Sequence, residues 1–156
     1  MARSVRLTAE EAWEVLAHAH TGILTTLRRD GVPISLPVWF VALDRRIYVT
    51  GQSHTKKFAR LRHDPRVSFL VESGVRWAEL VGVHLTGTAR VIDDPSLLPR
   101  VAAALAERYT RFRTPREHMP DATRAHYETP TTTIAITPDE RIISWDNSRL
   151  FAEEPA

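Results

Sequence analysis

The stretch Gly22-Ile23-Leu24-Thr25-Thr26-Leu27, Arg29-Asp30-Gly31, Pro33-Ile34-Ser35-Leu36-Pro37-Val38-Trp39-Phe40-Val41-Ala42-Leu43 decides the fold class. β-Branched and apolar residues recur with the period of strands, and Asp30-Gly31 is a hairpin signal because both residues tolerate positive φ. Pro33 and Pro37 donate no ladder hydrogen bond, which predicts that the second strand lies at an edge, is bulged, or has something other than sheet beside it near Pro37. A turn at Asp44-Arg45-Arg46 then leads into Ile47-Tyr48-Val49-Thr50, so a three-strand meander is expected.

On the N-terminal side, Thr8-Ala9-Glu10-Glu11 fits a capping box. Trp13, Leu16, Ala17 and His20 follow at helical spacing, which predicts a packing helix ending near Thr21-Gly22. On the other side, Lys56 to His63 reads as a short helix with Phe58 and Leu61 inward, stopped by Asp64-Pro65. A strand over Arg66–Glu72, a turn at Ser73-Gly74 and a long strand from Val75 to Ile92 follow, with Gly82 and Gly87 marking bulges or bends that close a sheet. Asp93-Asp94-Pro95 is expected to start a helix striped by Leu98, Val101, Ala102, Leu105 and Tyr109. Residues 110–128 have no clean period and read as a loop with a short helix, and Thr131–Thr137 with Arg141–Trp145 read as a final hairpin turning at Pro138-Asp139. The total, about seven strands and three helices, predicts a mainly β fold: an antiparallel barrel with helices outside.

At 156 residues, with 43% apolar and 26% charged residues and no visible linker, the chain (1–156) is expected to form one domain. No apolar run approaches the ~20 residues of a bilayer span, and the N-terminus has no secretory pattern. A soluble, cytoplasmic protein without membrane partners is expected. The absence of cysteine excludes thiolate nucleophiles, disulfides and cysteine-ligated metals. The seven histidines show no ligand spacing, so no metal site is predicted, and no nucleophile elbow supports a hydrolase. Net charge is +2, which argues against general nucleic-acid binding; yet its make-up is lopsided, nineteen arginines against two lysines, and the lysines are adjacent at Lys56-Lys57.

Those lysines sit in the most informative segment, Thr50-Gly51-Gln52-Ser53-His54-Thr55-Lys56-Lys57. A strand ends, a polar loop turns and a helix starts, so free amides, two hydroxyls and two ammonium groups converge as they would on a phosphate. Lysines in a first turn oppose the helix dipole at about 0.3–1 kcal/mol each, a placement that makes sense beside an anion. Gly82 and Gly87 are followed by Thr88-Ala89 where a P-loop needs Lys-Ser/Thr, so a nucleoside triphosphate site is not predicted. Arg108, Arg111, Arg113 and Arg116 read as a solvated face, with contact to a substrate phosphate or to the polyglutamyl tail of a cofactor as the other reading.

Taken together, Gly22–Leu27, Asp30-Gly31, Pro33–Phe40 and Lys56-Lys57-Phe58-Ala59-Arg60-Leu61-Arg62-His63-Asp64-Pro65-Arg66-Val67 resemble the pyridoxamine-5′-phosphate-oxidase-like superfamily of flavin-binding split barrels, and within it the flavin/deazaflavin oxidoreductase group. The resemblance covers residues 14–94 and continues weakly into Ile142–Asn147. It implies a Greek-key FMN-binding split β-barrel that forms a homodimer, with a flavin in each groove between subunits. It implies Lys57 as the phosphate-binding lysine with Lys56, Ser53 and Thr55 as helpers. Ser35, Leu36, Pro37, Val38 and Trp39 match the strand whose backbone borders the isoalloxazine ring, and Val49 and Thr50 the strand end beneath it. Trp77 and Trp145 are the candidates for a wall on the ring. The chain is shorter than pyridoxamine-phosphate oxidase itself, and Trp145-Asp146-Asn147-Ser148-Arg149-Leu150 stands where that enzyme has its arginine-and-histidine substrate motif, which argues against the vitamin substrate.

The function expected from the resemblance is an FMN-dependent oxidoreductase acting on a small conjugated molecule or oxygen, with no acid or base residue required of the chain. Three alternatives stand beside it: an 8-hydroxy-5-deazaflavin coenzyme on the same fold, a non-catalytic flavin or haem binder, and a nucleic-acid binder using Lys56, Lys57, Arg60, Arg62 and Arg66, which lacks an aromatic stacking platform.

Overall fold

The computed structural model describes residues 3–152. Helix α1, Ala9–His18, is capped as expected: the Glu11 amide donates to Thr8 Oγ1 at 3.2 Å and the Thr8 amide to Glu11 Oε2 at 2.7 Å. Strands β1 (Gly22–Leu27) and β2 (Pro33–Val38) form the hairpin, with Gly31 at φ 83° supplying the turn. Strand β3, Val41–Leu43, pairs with β4, Arg46–Gln52, across a two-residue turn in which Asp44 and Arg45 both have positive φ. Helix α2 spans Lys56–His63 as predicted, with Phe58 and Leu61 buried, and β5 spans Arg66–Ser73. Strand β6 is Val81–Val91, helix α3 Leu97–Tyr109, helix α4 Asp121–Tyr127, and β7 Thr131–Asp146.

All pairings are antiparallel, and the strand order is β2-β1-β5-β6-β7-β4-β3. β2 and β3 therefore lie at opposite edges of the sheet, yet only Trp39 and Phe40 separate them along the chain. Three residue steps span at most about 11 Å, so the two edges must approach, and the sheet is curled into a split barrel. The expected meander is thereby corrected: β3 pairs with β4 and not with β2. The reason lies at Phe40, whose amide donates to Tyr109 Oη at 3.0 Å and whose carbonyl lies 3.0 Å from the same oxygen. A side chain from α3 takes the place of a neighbouring strand at Phe40, and β2 lies at the sheet edge, one of the placements its prolines predict.

Alternation along the strands sorts the core into two layers. Ile47, Val49, Ile134 and Ile136 face the barrel interior with Phe40, Phe58, Phe69 and Leu85, whereas Tyr48 and Ala135 face outward onto Val101, Leu105 and Tyr109 of α3.

Three further expectations are corrected. The segment after Gly74 (φ 98°) is not strand: Trp77–Glu79 makes a single 3₁₀ turn, and β6 begins only at Val81. Helix α3 starts two residues beyond Pro95, because the Asp94 carboxylate accepts from the Ser96 amide at 2.8 Å and holds a turn there first. Residues 131–146 are one continuous strand and no hairpin; Pro138 pairs with Gly87, Asp139, Glu140 and Arg141 bulge opposite Thr86, and Gly87 is so close to β7 that a Cβ would stand 2.4 Å from the Thr137 carbonyl oxygen. Gly87 thus does mark a bulge. With α4 ordered, the described residues hold seven strands and four α-helices, one helix more than expected.

Candidate functional site

Strand β4 carries the chain out of the barrel at Thr50-Gly51-Gln52, and β7 begins beside it in register, with Thr50 opposite Thr133, Gly51 opposite Thr132 and Gln52 opposite Thr131. The hydroxyls of this corner are knitted together. Thr50 and Thr133 share a 2.7 Å hydrogen bond, and Thr132 donates to Ser53 Oγ at 2.7 Å. As an acceptor there, Ser53 keeps its own proton for a further partner. Thr55 turns the other way, its hydroxyl donating to the Gln52 carbonyl at 2.9 Å, and it makes no side-chain cap on α2. The first-turn amides of α2 consequently have no side-chain acceptor, and no acidic residue stands in that turn.

Lys57 lies back across Gly51. A Cβ at Gly51 would stand 3.0 Å from Lys57 Nζ, so glycine is what allows the ammonium to settle against the strand end. The nitrogen also sits 5.4 Å from the centre of the Phe58 ring. Burial, and secondarily the charge of Arg60, holds the Lys57 pKa below the ordinary lysine value. Among the described residues Lys57 has no carboxylate partner. A half-buried cation beside free amides and a free hydroxyl proton is a site in want of an anion. Lys56 is exposed at its rim. Arg60 is engaged elsewhere, its Nε donating to the buried Thr26 hydroxyl at 2.7 Å.

From this corner a groove of about 850 Å³ runs under α3 and the segment after it. Thr50, Gly51, Gln52 and Thr131–Thr133 line one side, and Trp39, Phe112 and Tyr127 supply aromatic walls, with the buried Tyr109 ring stacked behind Trp39. Trp39 is the member of the predicted ring-bordering strand that reaches this groove. Val38 and Val49 point into the core, Ser35 hydrogen-bonds Thr25 at 2.8 Å, and Leu36 and Pro37 are exposed on the edge strand. Trp145 covers Gly82, where a Cβ would lie 2.1 Å from its ring, and Trp77 is exposed beside Phe151. These two tryptophans stand at the opposite end of β7 from Thr131, so one subunit does not bring them to Lys57.

The arginine group divides. Arg108 donates to the carbonyls of Ala17 and Ala19, capping the C-terminus of α1, and so is structural. Arg113 and Arg116 line the groove. The sequence reading missed Gln52 and the threonines of β7 as site residues. The run Thr131-Thr132-Thr133 was the available signal, but only the β4–β7 register places it beside Gly51.

The pyridoxamine 5′-phosphate oxidase family model matches residues 8–142, which takes in every strand up to the middle of β7 and the whole Lys57 corner. The chain belongs to this family. Within the same split-barrel fold, a conserved hypothetical protein of Mycobacterium tuberculosis is 29% identical, with a TM-score of 0.78 over 98% of this chain and 93% of that one. An FAD-binding protein of Mesorhizobium loti superposes with a TM-score of 0.66 at 22% identity, covering 88% of this chain and 93% of its own. The haem storage protein HutZ of Vibrio cholerae gives 0.67 at 15% identity, covering 88% and 94%. At those two identities the likeness is one of fold. No curated protein matches this family member. Among the described residues no helix is long and apolar enough to cross a membrane, and no three His, Asp or Glu side chains are grouped to hold a metal ion.

Proposed function

We propose that this protein is a flavin-dependent oxidoreductase that binds FMN with its phosphate at the Lys57 corner and acts as a homodimer on a small conjugated molecule or oxygen. The observation that carries the reading is the half-buried Lys57 ammonium, folded over Gly51 and without a carboxylate partner among the described residues, in a member of the pyridoxamine 5′-phosphate oxidase family. The residues fit the group: Lys57 and the first amides of α2 meet a phosphate, Ser53 has a proton to donate, and Lys56 adds charge at the rim. Trp39 and the Thr50-Gly51 strand end offer flat, partly apolar surface for a ring system. Bound there, a flavin supplies hydride and electron transfer, and the chain supplies position and electrostatics. Trp77 and Trp145, remote from Lys57 within one subunit, are the residues by which a partner subunit completes the site.

An 8-hydroxy-5-deazaflavin coenzyme is the second reading, since it too presents a phosphate and Arg113 and Arg116 line the same groove. Absorbance titration of the purified protein with FMN and with the deazaflavin tests both. Saturable 1:1 uptake of FMN with a perturbed band near ~450 nm is the expected result. Uptake of the deazaflavin alone transfers the proposal to that coenzyme, and uptake of neither overturns it.

A further inference from the structure

Residues 114–129 supply Thr114, Arg116, Met119 and Tyr127 to the groove without being built into the barrel. None of the segment is buried. Among the described residues, every hydrogen bond and ion pair it makes is internal: Arg116 donates to the Tyr127 carbonyl at 3.4 Å, the Thr129 hydroxyl to the His126 carbonyl at 2.6 Å, and Arg124 pairs with Asp121. The fixed points lie just outside its two ends. Before it, Phe112 rests edge-on against His20 with ring centroids 4.6 Å apart, and after it the Ser53 amide donates to the Pro130 carbonyl at 2.9 Å. Between these points, among the described residues, one aromatic contact joins the segment to the barrel. His126, half-buried in the last turn of α4, stands edge-on to the exposed His54 of the loop before α2, centroids 5.1 Å apart and planes at 86°. Tyr127 continues the contact at 5.1 Å from His126 and carries the Arg116 guanidinium 5.2 Å from the centre of its own ring.

From this arrangement we infer that residues 114–129 form a strap over the groove, latched where His126 meets His54, and that the latch opens when both imidazoles are protonated. A segment with no buried side chain and no bond to its surroundings opens at small cost, so the latch decides how long it stays shut. Between pH ~5 and ~8 histidine is the side chain whose charge ordinarily changes, and like charges 5.1 Å apart repel. Arg116, Glu117, His118, the Asp121–Arg124 pair, Tyr127 and Glu128 travel with His126, so they do not distinguish the closed strap from the open one. The barrel's side does. There His54 is followed by Lys56 and Lys57, the first turn of α2 has no acidic residue, and the neighbouring strand ends Thr50–Gln52 and Thr131–Thr133 carry no charge. A protonated His126 therefore meets basic neighbours on closing.

Hydrogen exchange of the full chain without ligand tests the inference, each rate corrected for the pH dependence of amide exchange itself. Protection over residues 114–129 is expected to fall at least about fivefold from pH ~7.5 to ~5, while that of β5 and β6 holds. The double variant H54F/H126F keeps two rings in contact without their charge and should change less than about twofold over the same interval. H54A/H126A should be as open at the higher pH as the parent is at the lower. No protection of the segment at the higher pH, a fall that persists in H54F/H126F or extends to β5 and β6, or a segment as protected in H54A/H126A as in the parent would each overturn the inference. That the strap encloses FMN rests on the flavin reading above and has its own measurement: FMN release in stopped flow should be at least about fivefold faster from H54A/H126A than from the parent. Equal release overturns the strap's hold on the ligand, whereas absence of FMN uptake by the unmodified protein fails the flavin reading and leaves the exchange result standing.

Discussion

Trp39 and Tyr109 stack face to face, ring centroids 4.5 Å apart and planes 2° from parallel, so that the residue following β2 is clasped by the last residue of α3. The phenol oxygen reaches past the stack to the Phe40 amide and lies 2.8 Å from the His20 carbonyl. Tyr109→Phe keeps the ring and removes these bonds, leaving a buried Phe40 amide without a partner. A loss of about 1–3 kcal/mol is expected. Urea denaturation checks it, with an unchanged m-value showing that the fold itself is kept.

On the proposed reading, Lys57→Glu should abolish FMN uptake with little change in thermal midpoint, because Lys57 makes no ion pair among the described residues whose loss would unsettle the fold. Protein that still purifies fully loaded would refute the phosphate assignment.

The same lysine sets a pH dependence. Its pKa in the folded chain is lowered by burial, so FMN affinity should fall as pH rises through that lowered value, earlier than an ordinary lysine near ~10.4 would dictate. A bound phosphate favours the charged form, so binding in that window takes up a proton; titrations in two buffers of different ionisation enthalpy measure it. Without ligand the sign for folding is opposite. The unfolded chain holds the lysine proton to higher pH, so stability rises with pH across that interval.

Asp64 closes α2 and is gripped by Arg66 through 3.0 and 2.7 Å bonds, which hold its carboxyl at about 2 against an ordinary 3.8. Its contribution to stability is complete above the ordinary value and disappears as pH falls from there toward about 2. Asp64→Asn should flatten the acid limb of the stability profile in that interval and leave stability near neutrality lower than in the parent, as acid titration followed by circular dichroism will show.

At the other end of β7, Gly82→Ala places a methyl 2.1 Å from the ring of Trp145. The ring must move, at a cost of about 1–3 kcal/mol. A shifted tryptophan emission maximum together with a lower thermal midpoint is the expected outcome.

A homodimer is expected in sedimentation equilibrium of the FMN-loaded protein, because Trp77 and Trp145 stand away from Lys57 in one subunit. A flavin-loaded monomer would contradict that assignment.

What the sequence discloses is mostly what neighbours in the chain decide. The Thr8–Glu11 capping box, the Gly31 turn and the bounds of α2 follow from adjacent residues, and the nearness of Ser53 to the start of α2 follows from a loop of three residues, Ser53–Thr55. The prolines of β2 announced an edge strand, whereas nothing near Phe40 in the chain announced Tyr109. The errors came where long-range pairing outweighs local preference. Pro138-Asp139 has the chemistry of a reversal, yet β6 on one side and β4 on the other hold residues 131–146 as a single strand. Trp39-Phe40 lies inside an unbroken apolar run, and only the closure of the barrel splits that run into strands at opposite edges. The groove was illegible for the same reason, since its sides come from β4, β7, α3 and the aperiodic residues that follow α3.

The order in which the elements emerge during synthesis follows from β7. It alone ties β4 and β3 to the remaining sheet, since β4 pairs with β3 and β7, and β6 with β5 and β7. A nascent chain that has not yet released Thr131 owns two separate ribbons, β2-β1-β5-β6 and β4-β3, with no hydrogen-bonded ladder between them. The hydroxyl corner beside Gly51 is therefore absent until β7 arrives, and an anion site that depends on it cannot form before Thr131, Thr132 and Thr133 are made.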